Sequence, residues 1–368
     1  MRGRNLSLLA LITAAVIGAA VIVTWVRAPK TRVERELLFP DLGKHINDVT
    51  AIRIEGNGKN LSLIRQQGKW AVQEGDGYPV LMDRVKQVVV GIADLRVAAV
   101  KTSSPELYSR LGVEDLSARN AASMLLTLQD ESHKPVASLI LGKPRRSGAP
   151  SDRPGLYVRL PGEPQALLVD GRLDVSTELS DWFDRQLFDI PSARIRDIHI
   201  QHADGTVLRV ARAQPGADLM VADMPKGKDL QSNVTVSRMG TLFEGFFAEG
   251  VRSAAKLGFP EDATTVTVTT FDGLVANISA ARIDDKPYAR FAFSFDATAA
   301  QAKPAETPTS GGAETAPLEQ PDVAGEAHKL QDVSTGWAFQ IPQFKFELLN
   351  QRLEDLIRLT PKAQPQPA

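Results

Sequence analysis

Three carboxylates, Glu178, Asp181 and Asp184, stand three residues apart. On a helix this spacing lines one side, and carboxylates on a shared face can act as general acid and base or hold a cation. The neighbouring Trp182 and Phe183 favour a different reading, a solvated helix face with the rings turned into a core. Glu74-Gly75-Asp76-Gly77 offers two more carboxylates but lacks the rest of a calcium ligand set, so it reads as a turn. His199 and His202 are the only close histidine pair; three apart on a strand, their side chains leave opposite faces and cannot share a metal without a bulge. His45, His133 and His328 are scattered in loops. Lys143, Arg145, Arg146 and Arg153 make a basic, Gly/Pro-rich loop that could meet an anionic partner or stay solvated.

The signatures of several chemistries are missing. No G-x-x-x-x-G-K-[ST] loop, G-x-S-x-G elbow, H-E-x-x-H pair or EF-hand loop occurs. Gly56-Asn57-Gly58-Lys59 has two glycines between strands and reads as a hairpin turn. The 368 residues include no cysteine, which excludes disulfides, thiolate metal sites and a cysteine nucleophile. A net charge of -1 supplies no global field to recruit nucleic acid. The residues therefore assign no catalytic, cofactor-binding or metal position, and the chain reads as non-enzymatic.

The elements that would carry these residues recur. Strands at Ala51–Ile54 and Leu61–Ile64 precede Trp70-Ala71-Val72, a turn, and a helix from about Leu81 to Leu95 whose Val85, Val88, Val89 and Ile92 share a face. The copy closes on Leu111-Gly112-Val113. A second copy runs from Ile198-His199-Ile200 through Asp204-Gly205, Val207–Val210 and Leu219-Met220-Val221 to a helix at about Val236–Phe247 and Leu257-Gly258-Phe259. A third begins at Val266-Thr267-Val268, breaks at Ala297, and resumes at Trp337-Ala338-Phe339 with a helix from about Phe344 to Leu359. Trp70, Val72, Leu219, Val221, Trp337 and Phe339 hold equivalent repeat positions, and alternating apolar neighbours make them core residues and not a sugar-stacking platform.

These patterns predict an α+β chain in which an extended array of antiparallel β-hairpin/helix modules follows an N-terminal membrane helix. The modules are expected at 36–113, 114–190 (β-rich, closed by a helix near Glu178–Arg185), 191–263, and 264–296 with 334–361. The Ala/Pro/Thr/Glu-rich stretch 297–333 is expected to be a disordered insertion, with a disordered tail at 362–368.

Before the modules, Leu6–Val26 is a run of 21 residues without a charge, preceded by a short tail at 1–5. At about 1.5 Å per residue it spans roughly 31 Å, close to a hydrocarbon core of about 30 Å. Leu6, Leu9, Ile12, Val16 and Ile22 supply its apolar surface, and Trp25 sits where interfacial aromatics lie. The run is long for a signal peptide and its exit, Val26-Arg27-Ala28-Pro29, is a poor cleavage site, so an uncleaved signal anchor is expected. Basic residues flank both ends; the short tail before a long domain favours a cytoplasmic N-terminus with the soluble region exported.

Leu139-Ile140-Leu141-Gly142, Gly155-Leu156-Tyr157-Val158-Arg159, Ala166-Leu167-Leu168-Val169-Asp170 and Trp182–Ile190 resemble the central run of the bacterial family called domain of unknown function 4340. The likeness, with the Trp-x-Val step at Trp70 and Trp337, spans about residues 36 to 360. It implies a protein held by one N-terminal membrane helix, of a kind encoded beside ABC-type transporter permeases, and hence an envelope accessory protein in the inner membrane with a periplasmic soluble region. It implies no catalytic residue. The expectation is a scaffold or accessory subunit with the bilayer and a permease as partners; a glycan- or lipid-binding module and a hydrolase using Glu178–Asp184 are the alternatives.

Overall fold

The computed structural model describes residues 35–145, 153–300 and 322–359. Their chain packs as two compact units, one holding the residues up to Val49 with Gln87–Asp174, the other Thr50–Lys86 with the chain from Val175 onward. Antiparallel sheets dominate and helices are few, an α+β arrangement. Among the described residues no helix is long and apolar enough to cross a membrane. Leu6, Leu9, Ile12, Val16, Ile22 and Trp25, and the tail 362–368, lie outside the described residues.

The second unit opens with a meander. β1 (Ala51–Gly56) pairs with β2 (Lys59–Gln66), and β3 (Lys69–Val72) and β4 (Tyr78–Pro79) continue it in the order β4-β3-β2-β1. Asn57 and Gly58 both take positive φ, as do Gln67 and Gly68, the geometry of two-residue hairpin turns that match strand twist. Alternation buries Ile52, Ile54, Leu61, Leu63 and Val72 completely. Helix α1 (Met82–Ala93), whose residues from Gln87 onward belong to the first unit, buries Val85, Val88, Val89 and Ile92 along one stripe.

The first unit carries β5 (Arg96–Val100), β6 (Met124–Gln129), β7 (Pro135–Pro144), β8 (Gly155–Arg159) and β9 (Ala166–Asp170), ordered β6-β7-β8-β9-β5. Here the strand motifs of the sequence acquire a physical purpose. Arg159, 3% exposed, donates through Nε to the Val113 carbonyl at 2.9 Å and through Nη2 to Asp115 at 2.5 Å, and its guanidinium lies 4.6 Å from the Tyr108 ring centroid. Gly142 lies against the same passage: a Cβ there would stand 2.5 Å from the Leu111 carbonyl oxygen and 2.6 Å from Val113 Cγ1. Leu111-Gly112-Val113, the closing segment of the first repeat, is thus gripped by one strand's glycine and the next strand's arginine. Because the obstacle is backbone, Gly142→Ala should cost about 3 kcal/mol, the upper end for overpacking. Hydrogen exchange resolved by residue should show β7 and β8 losing protection; unchanged exchange there would refute the grip.

The remaining strands and longer helices of the second unit are β10 (Gln186–Phe188), β11 (Ile195–Gln201), β12 (Val207–Ala211), β13 (Met220–Val221), β14 (Lys228–Leu230), α2 (Asn233–Thr241), β15 (Phe246–Phe247), β16 (Gly250–Ser253), β17 (Thr264–Thr270), β18 (Leu274–Ile283), β19 (Lys286–Phe295), α3 (Val323–Ser334), β20 (Trp337–Gln340), α4 (Gln343–Leu349) and β21 (Ile357–Leu359). Eight of these strands form one sheet in the order β13-β12-β11-β17-β18-β19-β20-β16. The strands expected as separate small sheets in 191–263 and 264–361 therefore share one sheet, since β11 pairs with β17 across the expected boundary and β16 with β20.

Four expected elements need correction. Residues 178–185 make only a single 3₁₀ turn, Leu179–Asp181, at whose end Trp182 is fully buried and its indole N–H is tied back to the Ser176 carbonyl. The helix expected at Val236–Phe247 begins earlier and stops at Thr241, and Phe246–Phe247 pairs as a strand with β10. The helix expected from Phe344 to Leu359 ends at Leu349, where Asn350 turns its side chain onto the Phe346 carbonyl; Ile357–Leu359 is a strand paired with β14. The expected disordered stretch 297–333 contains α3, whose Asp322 caps the helix by accepting from Gly325 N at 2.8 Å. Residues 301–321 lie outside the described residues.

Candidate functional site

The three carboxylates of the Glu178 run are separately engaged. Glu178 is exposed and meets Lys59 Nζ at 2.5 Å. Asp184 accepts from its neighbour Gln186 N at 3.1 Å. Asp181 lies in the 3₁₀ turn, whose carbonyl accepts from Arg84. Trp182, fully buried, donates Nε1–H to the Ser176 carbonyl at 2.9 Å. Among the described residues no group of three or more histidines and carboxylates could hold a metal ion.

The Glu74–Gly77 turn holds an ion cluster that its sequence did not announce. Glu74 accepts from Ser62 N at 2.8 Å. Asp76, in the left-handed region at φ 57°, accepts from Arg252 Nε at 2.7 Å, Ser253 N at 3.0 Å and Lys256 Nζ at 3.3 Å. Burial alone would push this carboxyl's pKa up; the donors outweigh burial and hold it below the usual carboxylate value. Two cations stand where the calcium reading wanted an ion.

A second cluster joins α3 to the sheet. Arg194 makes a bidentate pair with Glu326, at 2.8 and 2.7 Å, and turns Nε to Asp272 at 2.8 Å. The fork geometry of guanidinium and carboxylate accounts for the pairing. The Glu326 bond, chief among several, raises the pKa of Arg194 further; Asp272 is held low, burial opposing but Thr270 and Arg194 prevailing. The signal was unreadable in sequence, because the partners lie 132 residues apart.

The histidine pair separates as its spacing implied. His199 lies within β11, while His202 beyond its end is buried, with Nδ1 3.3 Å from Thr264 Oγ1 and Nε2 3.3 Å from the Gln351 carbonyl.

Lys345 is the least expected titratable group. It is 4% exposed, on α4, and its Nζ donates to the Leu242 carbonyl at 2.6 Å and the Glu244 carbonyl at 3.3 Å. These carbonyls follow the C-terminus of α2, where a cation also complements the helix dipole. Nζ lies 4.3 Å from the Phe246 ring centroid. Burial pushes its pKa down to about 8, with Asp189 and Glu244 opposing. Around it, Phe188, Phe243, Phe246, Phe291 and Phe293 form a continuous aromatic core.

The repeat positions are distributed along these cores. Trp70, Val72, Leu219, Val221 and Phe339 are buried; Trp337 is half-buried, its ring edge-on to Tyr78 at 4.9 Å. Burial lifts Tyr78 to about 12, helped by Asp184. An open groove of about 330 Å³ is lined by Arg282, Gln343, Phe346, Glu347, Asn350 and Asp355, among others. Arg282 stacks 5.2 Å from the Phe346 centroid and donates to Gln343 at 2.8 Å. Sequence reading missed this groove because its walls come from a hairpin end and α4.

Comparison with curated proteins and with solved structures gave no match. The family described as Domain of unknown function (DUF4340) matches residues 70–256, slightly over half of the chain. That span takes in the Trp70 strand, the grip of Gly142 and Arg159 on Leu111–Val113, and the Asp76 partner Arg252. The chain belongs to the DUF4340 family.

Proposed function

We propose that this protein is a non-enzymatic, single-pass envelope protein, held in a bacterial inner membrane by Leu6–Val26 and serving as an accessory or scaffold subunit of an ABC-type transport system. The N-terminus is cytoplasmic and the hairpin/helix modules are periplasmic. The observation that carries the reading is the 21-residue uncharged run, matched in length to a bilayer. It is supported by the engagement of the chemistry-bearing groups: Asp76, Arg194, Asp272, Glu326 and Lys345 all hold elements of their own unit together. No cofactor enters this reading.

The test uses the absence of cysteine. A full-length Glu163→Cys variant should stay in the membrane pellet after alkaline carbonate and should react with an impermeant maleimide in spheroplasts. Release by carbonate overturns the anchor, and protection from the reagent overturns the orientation. Purification in mild detergent should bring down a polytopic permease; repeated recovery of a lone monomer counts against the accessory role.

The open groove favours a second reading, a periplasmic module that binds glycan or lipid, because carboxamides, carboxylates and one aromatic ring converge there. Calorimetric titration with cell-wall oligosaccharides separates it from the scaffold reading. The hydrolase reading has no comparable observation behind it.

A further inference from the structure

The first unit gathers its arginines at one end of its sheet. Arg96, at the start of β5, pairs with Asp170 at the end of β9, and Asp170 in turn pairs with Gly155 at the start of β8. The end of β7 joins them through Arg145 N, which donates to the Gly155 carbonyl at 2.7 Å, and Gly171 N donates to the Pro154 carbonyl at 2.9 Å. The chain enters the unit at this same end: Leu37 bridges to Arg96, Val97 N donates to the Glu36 carbonyl, and Arg96 Nη1 donates to the Arg35 carbonyl at 3.0 Å. Two basic stretches separated by more than a hundred residues, the one ending in Arg35 and the loop of Arg145 and Arg153, therefore meet.

Their charges are unequally matched. Asp170 takes Arg35 at 3.3 Å and Arg145 at 3.9 Å. Nε of Arg145 is buried without a hydrogen-bond partner. Arg96, Arg153 and Arg172 are exposed and form no ion pair among the described residues. Carboxylates are interleaved with these arginines: Glu34 and Glu36 flank Arg35 in the chain, Asp94 lies two residues before Arg96, Asp152 adjoins Arg153, and Asp174 lies two residues after Arg172.

We propose that this arginine-rich end of the first unit rests on anionic phospholipid headgroups. The inference depends on Leu6–Val26 lying in a bilayer. Arg35 follows Val26 by nine residues, which reach at most about 30 Å when fully extended. The tether thus keeps this end, with its unpaired guanidinium groups, near the lipid surface, and arginine forks suit phosphate oxygens. The net charge of -1 makes the attraction local to this end and not a property of the whole chain.

The experiment reconstitutes the full-length chain in vesicles of phosphatidylcholine alone or with about one third phosphatidylglycerol. Pro154→Cys places a fluorophore at the arginine end; Glu163→Cys places one at the opposite end of β8 and β9. A headgroup-attached quencher reports proximity. Quenching at position 154 should rise at least about twofold with the anionic lipid. It should fall back in 1 M salt, where the screening length drops from about 10 Å at 0.1 M to about 3 Å. Arg153→Gln with Arg172→Gln, both exposed positions, should abolish the lipid dependence while circular dichroism is unchanged. Equal quenching in neutral and anionic vesicles, or stronger quenching at 163, overturns the proposal. Failure of the protein to float with either vesicle instead overturns the membrane anchor on which it rests.

Discussion

Phe246→Ala should destabilise the second unit by about 3–5 kcal/mol, the range for deleting a large aromatic side chain from a core. Phe246 is fully buried, stacked on Phe188 at 4.7 Å and edge-on to Phe291 at 5.2 Å. Its removal leaves a void between rings that cannot collapse without moving β15 from β10. It also strips Lys345 of the ring face beneath its ammonium group. Phe246→Leu, which keeps most of the volume, should cost about 1–2 kcal/mol. Denaturant titration followed by tryptophan fluorescence checks this, since Trp70, Trp182 and Trp337 all belong to the second unit. A loss below about 1 kcal/mol for the alanine variant would mean that the rings are not a packed core.

The second large effect is a pH dependence centred on Lys345. Its pKa is about 8 in the folded chain against 10.5 ordinarily. Between these values the unfolded chain binds more protons, so stability must rise as pH increases from about 8 toward 10.5. The gain approaches about 3 kcal/mol, taking 1.36 kcal/mol per unit. Tyr78 acts in the opposite sense at higher pH: raised to about 12, it stays protonated when the unfolded phenol ionises, so stability falls above about pH 10. A stability maximum near pH 10 is therefore expected for the second unit. Lys345→Met keeps the aliphatic stem and removes the titration, so the stability of the wild type minus that of the variant should become more positive between pH 7 and 10. A difference that stays flat across that range would show that Lys345 is not held as a depressed buried amine.

Local signals carried far in this chain and distant ones did not. The two-residue turn at Asn57-Gly58 is visible as residues that tolerate positive φ, and the valine stripe of α1 as a helical period, whereas Gln67 at φ 50° gives no such cue. The Asp284-Asp285 turn between β18 and β19 follows the same geometry, yet aspartates give a weaker cue than glycine. Helix α3 was hidden by composition: Ala, Gly, Glu and Gln continue the bias of the preceding stretch, and what makes it a helix is its packing on β19 and the Arg194–Glu326 pair. The same limit hid the candidate sites. Asp76 was legible as a turn carboxylate, but its partners Arg252 and Lys256 lie some 180 residues away. Lys345 carries no distinguishing mark in the sequence, and only the fold reveals the carbonyls that hold it.

The grip of Gly142 and Arg159 on Leu111–Val113 bears on what kinship means here. The residues that make the chain recognisable sit where a returning segment must pass within backbone distance of a strand and be tied to a buried guanidinium. That passage demands a glycine and an arginine whatever the exposed faces are used for. Sharing these two positions is therefore a statement about how a chain folds, and it implies no ligand in common.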